Sequence, residues 1–316
     1  MKISQLTSSQ LRENLANPGL SLSAGPFVFQ IQTKVSQIAD GLRVLYGDFP
    51  IASRVDFADF HIRFEETRRW RRGFKPHVSV KVDGDSPANE LPIEQSQAVL
   101  EGCLNWCIYT QAHQYLIIHA AAVERSGRAA ILPAPPGAGK STLCAALVNR
   151  GWRLLTDELT LIATGSRTIV PLARPVSLKN ESINVIKNFA PKAVFGPVSP
   201  NTIKGTIAHM KPPPESVARV HEDCSAAWLI VPSYRFGAAT SVSEITKGEA
   251  FMRVAESAVN YMMLGRIGFE VVSALIDDMV CCRFEYSDLN EAVQRFDKLT
   301  RSDEPNATNI GSSNSE

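Results

Sequence analysis

The sequence predicts an α/β protein in which a P-loop core sits on a β-sheet and a smaller α+β domain precedes it. Three observations lead there. An apolar strand at 128–134 runs into the glycine-rich stretch APPGAGKST (134–142) and then into a helix that stops at Gly151. Short segments of apolar/polar alternation lie at 27–32, 60–64 and 78–82, well ahead of that core. A chain of 316 residues also exceeds what one ordinary hydrophobic core organises. The expected division is 1–92 for the α+β domain, 93–300 for the P-loop domain and 301–316 for a disordered tail.

Phe27, Phe29 and Ile31 alternate with Val28, Gln30 and Gln32 and read as a half-buried strand; Val35, Ile38, Leu42 and Leu45 then step at three and four, as on a helix. Phe60, Ile62 and Phe64, then Val78, Val80 and Val82, predict two more strands. Residues 83–92, DGDSPANELP, are turn chemistry throughout and mark the boundary. Beyond it Val99, Leu100, Cys103, Leu104 and Cys107 share one helical face, and two apolar strands, 115–123 and 128–134, are joined through Ser126 and Gly127. A hairpin is expected from 159–163 and 168–172 around Gly165-Ser166, and a strand from 226–231. A final helix should be capped by Ser287 and bury Ala292, Val293, Phe296 and Leu299. The stretch 191–215, rich in Pro, Gly and Lys, predicts a long active-site loop. Residues 301–316 hold almost nothing to bury.

An apolar fraction of 44% and a charged fraction of 21% are those of a globular protein. A net charge of +1 and the lack of a long basic run argue against a nucleic-acid partner. The opening MKISQLTSSQLRENL has no apolar signal core, and no stretch approaches the ~20 apolar residues a membrane span needs, so a cytoplasmic protein without membrane association is expected. Cys103 and Cys107 lie one helical turn apart and Cys281 and Cys282 are adjacent; neither spacing makes a disulfide framework or a zinc site, and all six cysteines read as reduced core residues.

The chemistry concentrates at 134–158. In such a loop, glycines let successive backbone N–H groups turn toward phosphate, a lysine reaches the β/γ oxygens and a Ser or Thr hydroxyl binds Mg²⁺. Pro136, Gly137, Ala138, Gly139, Lys140, Ser141 and Thr142 supply that loop, with Ala134 at the first position where the pattern has Gly. The predicted ligands are ATP and Mg²⁺, the metal held by Ser141 and Asp157. After the helix, WRLLTDELTLIA delivers the adjacent carboxylates Asp157 and Glu158, one for Mg²⁺ and one to take the proton of an attacking alcohol. His119 closes the strand YLIIH ahead of the loop; a lone histidine among apolar neighbours is more often a packed core residue than a functional one.

At these residues the chain resembles the HPr kinase/phosphorylase superfamily, and within it the HprK-related kinase A group. The resemblance is carried by GCLNWCIYTQAHQYLIIHAAAVERSGRAAILPAPPGAGKSTLCAALVNRGWRLLTDELTLI, PLARPVSLKNESI and KGTIAHMKPP. It runs over about 25–300 for the related-kinase group and about 115–180 for HPr kinase itself. It implies a mixed-sheet α/β core shared with phosphoenolpyruvate carboxykinases, and a catalytic histidine, lysine, serine and carboxylate pair at His119, Lys140, Ser141 and Asp157–Glu158. The second carboxylate of that pair resembles a general base for a serine hydroxyl; here it is Glu, and which of the two is the base stays open. The glycine-rich downstream signature of HPr kinases is replaced by RPVSLKN and KGTIAH, which makes Arg174, Lys179 and Lys204 candidate clamps on the γ-phosphate, with His209 in the same stretch. Hexamers among HPr kinases leave a homo-oligomer open.

The expected function is therefore that of an ATP-dependent kinase phosphorylating a hydroxyl, a serine, on a protein or peptide encoded nearby. Two rivals are a kinase of a small molecule such as free serine, and a nucleotide-gated binding module without phosphotransfer. The run RRWRR (68–72), with Arg63 and Lys75, reads as a dock for an acidic peptide or as a solvated basic turn.

Overall fold

The computed structural model describes residues 1–52, 57–68, 75–166 and 168–301. Most of the RRWRR run and the predicted tail lie outside them.

The chain starts with α1 (Ser8–Ala16), closed at its N-terminus by a reciprocal cap: Gln10 N donates to Thr7 Oγ1 at 3.2 Å and Thr7 N donates to the Gln10 side chain at 2.9 Å. The antiparallel pair β1 (Leu20–Ala24) and β2 (Phe27–Thr33) alternates buried and half-buried residues, as the pattern of Phe27, Phe29 and Ile31 requires. Helix α2 (Ser36–Leu45) precedes β3 (Phe60–Arg68), which runs parallel to β2; β4 (Pro76–Val82) and β5 (Leu91–Pro92) complete a five-stranded sheet in the order β1-β2-β3-β4-β5. The turn-rich stretch 83–92 thus ends in a strand paired to β4.

Helix α3 (Ser96–Gln111) leads into the larger sheet. In chain order follow β6 (Tyr115–Arg125), β7 (Arg128–Pro133), α4 (Lys140–Val148), β8 (Arg153–Thr156), β9 (Leu159–Ala163), β10 (Thr168–Val170), β11 (Val176–Lys179), α5 (Glu181–Phe189), β12 (Ser199–Thr202), β13 (Gly205–Met210), α6 (Pro214–Ala218) and β14 (Cys224–Tyr234). The chain ends with β15 (Ser241–Glu244), α7 (Lys247–Ser257), α8 (Tyr261–Leu264), α9 (Arg266–Asp277), β16 (Val280–Tyr286) and α10 (Leu289–Arg301). Eight strands form one mixed sheet, β10-β9-β6-β7-β14-β16-β15 with β8 beside β6. Within it β14 runs parallel to β7 and to β16, while the other pairs are antiparallel. β10 also pairs with the start of β14, so the sheet curls back on itself. The architecture is mixed α/β.

Two local expectations are corrected. Residues 191–215 do not form a long loop: β12 and β13 join β11 in a three-stranded sheet, because Ile207, Ala208 and Met210 bury against β11 while Ile203 and Lys204 make the tight turn. Pro and Gly around that hairpin hid its short apolar run. The last helix is capped by Asp288, whose Oδ1 accepts from Asn290 N at 2.8 Å and Glu291 N at 2.9 Å, and Ser287 instead accepts from Gly237 N at 3.0 Å.

Strand β6 sorts the interior. Leu116, Ile118, Ala120 and Ala122 face a core shared with α7 and α9, whereas Ala121 and Val123 face a core shared with α4, α5 and α10. Ile117, with Leu159 and Leu161 of β9, joins the core of the five-stranded sheet, α2 and α3. Among the described residues no helix is long and apolar enough to cross a membrane.

Helices α2 and α3 meet closely at Gly41, where a Cβ would lie 1.8 Å from Gln97 Oε1. Gln97 is buried and held by Glu101, so it cannot swing away freely. Gly41→Ala is expected to destabilise the fold by about 1–3 kcal/mol, as overpacking does, read from the midpoint of denaturant unfolding. A stability equal to wild type would mean the helices part without strain.

Candidate functional site

The glycine-rich loop between β7 and α4 holds Gly137 at φ 88° and Gly139 at φ 87°, left-handed conformations that favour glycine. Gly137 faces open space, so conformation alone demands glycine there. Gly139 is needed twice over, since a Cβ would meet Tyr286 Oη at 2.3 Å and Tyr234 Cβ at 2.9 Å. The close approach is a buttress: Tyr286 Oη donates to Gly139 O at 2.9 Å and Tyr234 N donates to Ala138 O at 3.0 Å. The ends of β14 and β16 therefore fix the loop from behind. Leu143 N closes the first turn of α4 on Gly139 O at 2.9 Å, leaving the earlier amides of the helix start for a ligand.

Lys140 is buried on that first turn, and its Nζ donates to Asp157 O at 2.9 Å, tying α4 to the end of β8. Asp157 is also buried; Oδ2 accepts from Ser177 N at 3.0 Å, while Oδ1 has no partner. Burial raises the Asp157 pKa, and Lys140, the Ser177 amide and the Ser141 hydroxyl offset only part of that rise. Glu158 accepts a hydrogen bond from the Asn105 amide. Burial pushes the Glu158 pKa upward too, but Lys140, Arg174, Lys179 and His119 together outweigh it and leave it lowered. Adjacent carboxylates are thereby driven in opposite directions.

The unpartnered Asp157 Oδ1 beside Ser141 offers hard oxygen donors, the kind Mg²⁺ takes when phosphates and water complete its shell. Among the described residues no group of three or more His, Cys, Asp or Glu is arranged to hold a metal alone. The donors fit Mg²⁺ bound together with a nucleotide.

His119 lies opposite Leu159 in the β6–β9 pairing and is solvent-exposed. Partial burial of its ring, then Lys140, Lys179 and Lys204, bring its pKa down to about 4 although Glu158 pulls the other way, so it is neutral near pH 7. Lys179 ends β11 half-buried, its pKa lowered by burial and by Lys204, which is exposed on the β12–β13 turn. Lys140, Lys179, Lys204 and His119 thus share one electrostatic neighbourhood. Arg174 has a different setting. It is buried, its Nη2 donates to Asn105 Oδ1, and its Nη1 lies 3.7 Å from Glu101 Oε2; Nε and Nη1 make no hydrogen bond. Arg174, Glu101, Asn105, Asp157, Glu158 and His209 line one small polar cleft.

Glu101, Asn105, Tyr234 and Tyr286 were not singled out by sequence reasoning. The available signal is Gln97, Glu101 and Asn105 repeating every four residues along α3, which in a sequence looks like an ordinary solvent face.

Residues 94–172 match the family model described as SynChlorMet cassette protein ScmC, a segment from the start of α3 to the residue pair after β10 that includes Asn105, His119, Lys140, Asp157 and Glu158. No curated protein matches the chain. Among solved structures, the Hpr(Ser) kinase/phosphatase from Coxiella burnetii is similar at 13% identity over 58% of this chain and 96% of that one, with a TM-score of 0.24.

Burial lowers the His209 pKa from 6.5 to about 4, and its Nδ1 has no partner. The folded chain therefore binds fewer protons than the unfolded one between those values, so stability is full above pH 6.5 and falls as the pH drops toward 4, by up to about 3 kcal/mol for this residue. Denaturant unfolding measured across that range should show a shallower acid loss in His209→Gln than in wild type. Parallel pH curves for the two proteins would contradict the assignment.

Proposed function

We propose that this chain is an ATP-dependent kinase that transfers the γ-phosphate of Mg·ATP to a hydroxyl, a serine of a protein or peptide acceptor. One observation carries the reading. At the mouth of a glycine loop, Lys140 is anchored to Asp157 O, the Asp157 Oδ1 beside it is unpartnered, and the next residue is a carboxylate kept ionised.

The amides of Gly137 and of 139–141, with Lys140, would hold the phosphates, and Ser141 with Asp157 would hold Mg²⁺, which supplies charge neutralisation when bound. Glu158 accepts the acceptor's proton as its oxygen bonds to the γ-phosphorus; the bond to the bridging oxygen breaks and ADP leaves. A lowered pKa makes Glu158 a weak base but guarantees that it is ionised, and a loose phosphoryl-transfer transition state asks little more of it. Lys179 and Lys204 offset charge on the transferring group, and neutral His119 orients it by a hydrogen bond. The ordering of the two carboxylates follows: Asp157 for the metal, Glu158 for the proton.

Intact-mass spectrometry of proteins and peptides encoded nearby, and of free serine, after incubation with Mg·ATP tests this. A gain of one phosphoryl group on a protein or peptide, lost with Lys140→Ala and slowed about 10²–10⁴-fold by Glu158→Gln, is the expected result. Transfer to free serine alone would make the chain a small-molecule kinase, and nucleotide binding with no acceptor modified would leave a nucleotide-gated module.

A further inference from the structure

The roles above leave unused a continuous line of polar side chains, buried except for the half-buried Asn105, that runs from the region of the five-stranded sheet into the cleft. Tyr46, the residue after α2, is fully buried and its hydroxyl lies 2.9 and 2.8 Å from the two Glu101 oxygens, to which it donates. Glu101 also accepts from Gln97 Nε2 at 3.0 Å and faces Arg174. Arg174 donates to Asn105 Oδ1, and Asn105 Nδ2 donates to Glu158 Oε2. Gln97, Glu101 and Asn105 stand four residues apart on α3, which stacks them on one face.

Two physical points give this line a purpose. A buried carboxylate and guanidinium are expensive to desolvate, and apolar residues of similar volume serve stability at least as well; such a pair therefore argues for fixing a geometry. An asparagine amide has one acceptor end and one donor end. With Oδ1 committed to Arg174, Asn105 can offer Glu158 only a donor, and it holds Oε2 while Oε1 stays outside that contact.

We infer that Tyr46, Glu101, Arg174 and Asn105 are a positioning chain that holds the Glu158 carboxylate in place, making the N-terminal half of the protein part of the phosphoryl-transfer site. The inference rests on the reading of Glu158 as the proton acceptor. Removing the Tyr46 hydroxyl frees Glu101 to accept a hydrogen bond from Arg174 in place of the 3.7 Å ion pair, which draws Arg174 off Asn105 and releases the amide from Glu158.

The test reads the Asn105–Glu158 contact directly. Full-length ¹⁵N-labelled protein is compared as wild type, Glu158→Gln and Tyr46→Phe, with Asn105→Ala identifying the Asn105 side-chain amide resonance. Glu158→Gln should move the bonded amide proton upfield, because a neutral acceptor makes a weaker hydrogen bond than a carboxylate. Tyr46→Phe, which keeps the ring that fills the core, should move it the same way by less. Mg·ATP affinity, measured by calorimetry, should stay within about twofold in Tyr46→Phe, since Tyr46 lies outside the phosphate loop. An Asn105 amide resonance left in place by Tyr46→Phe overturns the positioning chain, even where the unfolding midpoint falls, because a purely structural role lowers stability without moving that resonance. Failure of wild type to bind Mg·ATP overturns the kinase reading instead, and the Asn105 resonance still decides the chain.

Discussion

Three carboxylates, Glu101, Asp157 and Glu158, share one cleft, and the rest of the site depends on how their mutual repulsion is contained. Each receives a different set of partners. Glu101, whose pKa burial lifts to about 7 despite Arg174, is held by a phenol and an amide; Asp157 is held by a backbone N–H; Glu158 is surrounded by cations. Similar side chains are therefore held in three different settings of hydrogen bonding and charge without any change in residue type beyond Asp to Glu. The division is enforced by burial, because in water the same charges would be screened to near equality.

The loop owes its shape to the far edge of the sheet. Parallel pairing of β14 and β16 puts Tyr234 opposite Tyr286 in register, their rings 5.7 Å apart edge to face, and both reach the Ala138–Gly139 peptide region. A one-residue slip of β16 would turn Tyr286 to the opposite face and remove the hydrogen bond to Gly139 O. The helices α7 to α9 in the connection between these strands thus act at a distance on the geometry of the glycine-rich loop, by setting that register.

What was legible in the sequence was what is local. Gly137, Gly139 and Lys140 announce themselves because a left-handed loop and its lysine are encoded within a few residues, and Asp157–Glu158 are neighbours in the chain as well as in the site. The strands at 27–33, 60–68 and 76–82 showed through alternation because one face of each is buried. Illegible were features that depend on what lies opposite. The face of α3 bearing Gln97, Glu101 and Asn105 has the polarity of a wet surface, and only the packing of α2 and the placement of Arg174 bury Gln97 and Glu101 and half-bury Asn105. Arg174 reads as a free cation in RPVSLKN, yet it is committed to α3. The β12–β13 hairpin hid behind Pro and Gly, since those residues mark turns whether the turn joins strands or ends them.

The identity of residue 158 draws these points together. Its contact with Asn105 is made through Oε2, an atom one carbon farther from the backbone than any oxygen an aspartate could offer. An aspartate at this position would be too short to reach Asn105 from the same backbone position. Glu158 and Asn105 form a matched pair, and the match extends through Arg174 and Glu101 to Tyr46. In the positioning chain inferred above, the longer carboxylate and Tyr46 are two ends of one device: reach at 158 is useful because Asn105 on α3 is there to be reached.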